Sequence, residues 1–357
     1  MSSPIDALPP HIASAALDVR PTHVAIDVDH TLLREDLTIS PATVTAVAAS
    51  RADGLEIVLA SSRPPRAMLD HLTRLDLVGE ALFVALQGAM VARYLPGGGL
   101  DVVQEEPLGL EDARAVLGLA ARLGLAVSWY RGEEWLVSEI DATVRREAEV
   151  VGLVPTVATL TTEREPPGKI LLVTNRERLG EVLELVGRLS PNLAVQPSNG
   201  GYLEITRTGV DKASGLRAVL RRLGGEPQGL VAIGDGENDL GMYALAAVAV
   251  APANASGRVM ALATHRTDSN DEDGVATALG ALVRARAHRS SSRLAPGAGP
   301  TQMRPSARTA SRSCSSSATE ASIRVREKAS IVRSGTISQA WPRAVTGNED
   351  TSPAGTP

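Results

Sequence analysis

His23-Val24-Ala25-Ile26-Asp27-Val28-Asp29-His30-Thr31-Leu32-Leu33 opens on a short apolar, partly β-branched run and passes into a cluster of polar side chains. An unbroken apolar run of this length marks a strand buried on both faces, as parallel strands are. The polar residues that follow it then belong at the carboxyl edge of a sheet, where open α/β folds bind their ligands. Asp27 and Asp29, separated by one residue, can divide labour there. One carboxylate attacks phosphorus, while the other handles the proton of the leaving group and then of water. Taken alone, an Asp-x-Asp also serves as a backbone cap at a strand-to-loop turn.

Working outward, strand and helix signals alternate. Ser40, then Pro41, then a helical stretch closing at Gly54 supply an N-cap, a proline at the first helical position and a C-terminal glycine. Strand, helix and strand signals follow at 55–60, 64–75 and 81–86, the pattern of βαβ units and a parallel sheet. From Val91 the rhythm changes. Gly97-Gly98-Gly99 between two short apolar runs reads as a hairpin. Helices at about 110–123, 141–150 and 176–189 then alternate with short strands, among them 125–130, 135–138 and 169–174. This α+β segment, residues 92–206, is expected to form a separate cap domain. The parallel rhythm resumes with a helix at 211–223, the run Leu230-Val231-Ala232-Ile233, a helix at about 237–246, a strand at 248–250 and a last helix near 273–285. The expected fold class is α/β: a Rossmann-like parallel-sheet core in two parts, residues 22–91 and 207–285, with the α+β cap inserted between them. A leader over 1–21 is expected to hold at most one short helix, and residues 286–357 to form a disordered tail.

Bulk composition narrows the function classes. Of 357 residues, 43% are hydrophobic and 22% charged, enough to bury a sizeable core. Only 2% are aromatic, so the core rests on Val, Leu, Ile and Ala, and stacking on exposed bases is a poor prospect; no nucleic-acid partner is expected. Residues 285–357 hold 11 Lys or Arg against 4 Asp or Glu, which leaves a net charge of −12 for residues 1–284. An acidic body that acts on an anion needs local positive charge, and a metal ion is one source. The tail, rich in Ser, Arg, Ala, Pro and Thr, lacks the apolar area that would offset its ordering entropy. The single cysteine, Cys314, rules out an intrachain disulfide and a Cys-based zinc site. No run reaches the ~18 apolar residues of a membrane span, and the first residues lack the basic-then-apolar pattern of a secretion signal. A cytoplasmic protein without a membrane partner is expected.

Three further segments place polar residues just beyond expected strand ends. Ala60-Ser61-Ser62-Arg63-Pro64 offers a hydroxyl and free N–H groups before a helix, suited to a phosphate oxygen, though a serine there is also an ordinary N-cap. In Gly209-Val210-Asp211-Lys212-Ala213-Ser214-Gly215 the lysine falls in the first turn of a helix, where the macrodipole disfavours a cation. Presenting that charge to a phosphoryl group accounts for it. Gly234-Asp235-Gly236-Glu237-Asn238-Asp239 crowds three acids and an amide into one glycine-shaped loop, as a hard cation bound through oxygen requires.

These four segments, in this order and with a large insert between the second and third, resemble the haloacid dehalogenase-like superfamily, in particular its Cof-type phosphatases with a type IIB cap. The resemblance runs over about residues 22–284. It extends to Leu86-Gln87-Gly88-Ala89-Met90, which resembles the family's Asn-Gly-Ala turn, and to Tyr202-Leu203-Glu204-Ile205. Ala249-Val250-Ala251-Pro252-Ala253-Asn254-Ala255 and Asn270-Asp271-Glu272-Asp273-Gly274-Val275 match its later segments. The resemblance implies a Mg²⁺-dependent phosphatase acting on a small phosphorylated metabolite, a sugar phosphate or similar. Asp27 would form a phosphoaspartyl intermediate and Asp29 would act as general acid and then base. Asp27, Asp235 and the Asp29 backbone carbonyl would hold Mg²⁺, with Asp239 supporting the metal from behind. Ser61, Lys212 and Asn238 would hold phosphoryl oxygens, and Ser62 is a further candidate to bind substrate or phosphate. Three positions depart from the family pattern: His30 and Ser62 stand where Gly is usual, and Gln87 where Asn is usual. A sugar phosphomutase and a non-catalytic phospholigand-binding protein are the alternatives. For the cap, Trp129, Tyr130, Arg131 and Trp135 are candidates to touch substrate, although Trp and Tyr in short strands more often pack within a sheet.

Overall fold

The computed structural model describes residues 20–198 and 201–294, with side chains to residue 287. The expected leader helix and nearly all of the expected tail lie outside the described residues. Fourteen strands form two sheets among the described residues. The larger has the order β14-β13-β12-β1-β2-β3-β4-β5, with β1 at His23–Asp27, β2 at Glu56–Ala60, β3 at Phe83–Ala85, β4 at Met90–Tyr94, β5 at Leu100–Glu105, β12 at Leu230–Ile233, β13 at Val248–Pro252 and β14 at His265–Thr267. From β14 to β3 every pairing is parallel, and β1 lies between β12 and β2 with Val24 opposite Val231 on one side and Ile57 on the other.

All five residues of β1 are buried because both sheet faces are covered by helices. Alternation along the strand splits the core in two. Val24 and Ile26 pack in a cluster with Val47, Met68 and Leu279, while Ala25 packs in the opposite cluster with Leu216, Val219 and Met242. The first helix, Pro41–Ala52, begins as its sequence demands: Pro41 opens it and the Ser40 hydroxyl accepts from the Thr43 N–H at 3.0 Å.

The second sheet, order β10-β11-β9-β6-β7-β8, is built from β6 at Val127–Arg131, β7 at Glu134–Val137, β8 at Thr156–Val157, β9 at Lys169–Val173, β10 at Leu193–Ser198 and β11 at Tyr202–Arg207. Together with the helices Leu110–Leu123, Ala142–Val151 and Leu179–Gly187 it forms the inserted α+β cap. The molecule is thus a Rossmann-like parallel-sheet core carrying an inserted cap.

Several boundaries differ from the sequence reading. The hairpin over 90–105 extends the larger sheet antiparallel to β3, so the division drawn between residues 91 and 92 runs through β4. Strand β14 and the helix Gly257–Leu262 were not anticipated; His265-Arg266-Thr267 is too short and polar to display a period. The last helix among the described residues, Gly274–Leu294, continues past 285, so the first residues assigned to a disordered tail are helical. Arg286 accounts for part of that continuation: its guanidinium bonds to Asp53 at 2.5 Å and to the Pro21 carbonyl.

Candidate active site

At the carboxyl end of β1 the chain makes a single turn, Val28–Leu32, closed by the Leu33 N–H on the Val28 carbonyl at 2.9 Å. Inside it Asp29 stays extended and His30 takes a left-handed backbone, φ 56°. That conformation favours glycine, but among other residues His, Asn and Asp adopt it most readily. The departure at His30 therefore keeps the turn. Its carbonyl accepts from Asn254 Nδ2 at 2.7 Å, and its Nδ1 pairs with Glu35 at 3.0 Å. Asn270 bonds the Leu33 carbonyl, Asp271 accepts from the Glu35 N–H, and Asp273 accepts from Arg34. The two late segments read as family signatures thus serve to hold the Asp27–Asp29 turn.

The end of β12 brings the acidic loop alongside. The carboxylates of Asp27, Asp235 and Asp239 offer oxygens that all lie within 4.8 Å of one another. Lys212, 1% exposed at the start of its helix, donates to Asp27 and, at 2.7 Å, to Asp239 Oδ1. Asp239 Oδ2 accepts from the Gly236 N–H at 3.0 Å, and Asp235 Oδ1 accepts from Thr31 at 2.9 Å. Burial, and then repulsion from Asp239, push the Asp27 carboxyl well above the usual carboxylate range against the pull of Lys212. The same two causes raise Asp235 to about 6. Lys212 feels the opposite balance: burial opposes its charge, but Asp239 and Asp27 hold it protonated. Three carboxylates share one ammonium, so the cluster is short of positive charge. Such an all-oxygen donor set fits a hard divalent cation.

The Asp29 carboxylate stands apart from this cluster. Arg63 holds it with three hydrogen bonds of 2.6 to 3.1 Å, from Nε and Nη2. Burial alone would raise the Asp29 carboxyl, but the Arg63 guanidinium brings it below its ordinary value. Ser61 is 1% exposed, and its hydroxyl accepts from the Arg63 N–H at 3.1 Å. Asp27, Asp29, Ser62, Asp235 and Asn238 border a cavity of about 1250 Å³.

The cap forms the opposite wall with Thr143, Glu147, Lys169, Ser198, Tyr202 and Glu204. Lys169, 3% exposed, pairs with Glu204 at 2.6 Å, donates to the Ser62 carbonyl at 2.7 Å and lies 4.7 Å from the centre of the Tyr130 ring. Glu147 is 7% exposed, with Oε2 buried and unpartnered among the described residues, and burial raises its carboxyl. Trp129, Tyr130 and Trp135 are buried in the cap sheet, with Tyr130 and Trp135 stacked at 5.7 Å, and Arg131 pairs with Glu134 and Glu163. None of these four borders the cavity. Sequence reasoning gave no role to Arg63, Lys169, Glu147 or Glu204. A signal existed for two of them: Glu204 is a charge set inside an otherwise apolar stretch of strand, and Lys169 opens the apolar strand Lys169–Val173.

Residues 24–279 match the family model described as haloacid dehalogenase-like hydrolase. The chain belongs to this family. The hydrolase is 29% identical over 282 residues to YxeH of Bacillus subtilis, a match covering 74% of this chain and 98% of the relative. It is 27% identical to the 5-amino-6-(5-phospho-D-ribitylamino)uracil phosphatase YitU of the same organism, over 73% of this chain and 97% of the relative. Among solved structures, a haloacid dehalogenase-like hydrolase from Bacteroides thetaiotaomicron superposes with a TM-score of 0.66 at 28% identity, covering 73% of this chain and 99% of that one. The hydrolase is of the Cof type and acts on phosphoric monoester bonds. No helix among its described residues is long and apolar enough to cross a membrane.

Proposed function

We propose that this hydrolase removes phosphate from a small phosphorylated metabolite, a sugar phosphate or similar, through a phosphoaspartyl intermediate on Asp27. The observation that carries the proposal is the placing of Asp27: it ends the central strand, is gripped by Lys212, and opens onto a cavity whose far wall belongs to the cap. A carboxylate oxygen of Asp27 attacks phosphorus and the bond from phosphorus to the ester oxygen breaks; Asp29, which Arg63 holds ionised in the structure, parts from that guanidinium and binds a proton before giving one to the departing oxygen. Asp29, now ionised and held by Arg63, then takes a proton from the water that attacks the acyl phosphate, releasing inorganic phosphate and Asp27. Lys212, Asn238 and Ser61 are assigned to the phosphoryl oxygens, and Ser62 to the cavity edge beside them. Asp27, Asp235 and the Asp29 carbonyl would hold the divalent cation, Mg²⁺ in this reading, with Asp239 behind them. Such an ion, when bound, supplies the charge that offsets repulsion between a carboxylate and an anionic ester.

The cap wall bears on the leaving group. Lys169 and Glu204 neutralise each other and burial raises the Glu147 carboxyl, so the wall offers little net charge to a second ionic group, whereas hydroxyls find acceptors and donors among them. A polyhydroxylated alcohol suits such a wall. The test is phosphate release from a panel of sugar phosphates with and without Mg²⁺. Wild type should turn over with Mg²⁺, and Asp27→Asn should lose at least ~10³-fold. Isomerised sugar without free phosphate would overturn the proposal, as would undiminished release by Asp27→Asn.

A further inference from the structure

We infer that Gln87 is a positioning residue that ties the cap to Asn238, so that the amide assigned to the phosphoryl group is set only when the cap strand is in place. The inference rests on the reading of Asn238 given above.

Gln87 is fully buried in the turn Leu86–Gly88. Its backbone holds the turn against the phosphate-side loop: the Gln87 N–H donates to the Ser61 carbonyl at 3.1 Å, and the Leu86 N–H to the Arg63 carbonyl at 3.0 Å. Its side chain reaches two other elements. Nε2 donates to Gln196 Oε1 on β10 of the cap at 2.5 Å, and Oε1 lies 3.4 Å from Asn238 Nδ2 in the acidic loop. Gln87 thus stands between a cap strand, through its side-chain amide, and two of the core loops that border the cavity beside Asp27, one reached by that amide and one by the backbone. An Asn side chain carries two N–H donors. With one directed at Gln87, the other is free for a phosphoryl oxygen.

The backbone gives an independent reason to look for a use. Gln87 has φ 60° and ψ 23°, the left-handed region. Asn occupies that region far more readily than Gln. Backbone preference therefore argues for Asn at this position, and what Gln adds is one methylene of reach, the length needed to touch Gln196 and Asn238 together. Lys169 also contacts the phosphate-side loop from the cap, but its charge is already paired with Glu204.

Gln87→Asn separates the two demands. The thermal midpoint should stay at the wild-type value or rise, because the backbone conformation is easier for Asn. Binding of inorganic phosphate in the presence of Mg²⁺, followed by calorimetry, should weaken about tenfold, and kcat/KM for a sugar phosphate should fall by a similar factor. Gln196→Ala should reproduce the loss, and the double variant should lose no more than either single one. A lower midpoint with unchanged phosphate affinity would make Gln87 merely structural and overturn the inference. So would losses that multiply in the double variant, or wild-type protein that binds no phosphate. Phosphate binding with the expected pattern but no turnover by wild type would uphold the coupling and instead sink the hydrolytic reading.

Discussion

At the scale of single residues, Lys212 carries the largest electrostatic burden. It is buried, and removing its ammonium leaves the carboxylates of Asp27 and Asp239 facing each other without a counter-charge. Breaking a buried pair by deleting one partner costs about 3–5 kcal/mol. Lys212→Met should lose that much stability in urea melts as well as its phosphate release. Added Mg²⁺ should stabilise the variant more than wild type, because the three acids remain within reach of one ion. A loss below about 1 kcal/mol would mean the cluster does not depend on this charge. The lysine was legible beforehand, since a cation in the first turn of a helix opposes the macrodipole. Arg63 was not. Its place in Ser61-Ser62-Arg63-Pro64 was visible, but its grip on Asp29 exists only once two loops from different strands meet.

Elements set the distances between those residues. The helix Lys212–Leu223 begins against the turn Leu86–Gly88, and Gly88 permits the approach. A Cβ there would fall 1.9 Å from the Asp211 carbonyl oxygen, on a backbone with φ 105°. Gly88→Ala should therefore displace the helix that carries Lys212, with a stability loss of at least about 2 kcal/mol and a matching drop in turnover. Gly97→Ala has positive φ but open space around it, so it should cost less and leave turnover unchanged. Urea melts and phosphate release on the two variants check the contrast; equal losses would show that close packing at Gly88 is unimportant. Apolar runs and caps revealed most core elements. The hairpin over 90–105 was readable as a hairpin, but not which sheet it joins, because edge pairing is decided by the neighbour it meets.

For the molecule as a whole, the buried imidazole of His71 links stability to pH. Burial, helped by the nearby Arg63 charge, lowers it from 6.5 to about 4. Below pH 6.5 the unfolded chain takes up a proton that the folded state refuses until about pH 4, so stability falls as pH drops through that interval. Between pH 7 and pH 5 wild type should lose about 2 kcal/mol more than His71→Gln. Parallel pH dependences in denaturation experiments would remove His71 from the account. The family match ends at residue 279, and the last helix among the described residues runs to Leu294. A chain ending at residue 297 should therefore keep its phosphate release within about twofold, as a side-by-side assay would reveal.

What the sequence by itself determined is the parallel α/β core, the inserted cap and the four loops that carry Asp27, Ser61, Lys212 and Asp235. Strand periodicity and loop chemistry are local, so they survive in one dimension. Tertiary structure alone decided that Asp29 is held by Arg63, that Gln87 joins Gln196 to Asn238, and that Lys169, Glu204 and Glu147 wall the cavity. Each of those depends on side chains far apart in the chain, and the free energy of a buried polar group is set by the partner it meets rather than by its own type.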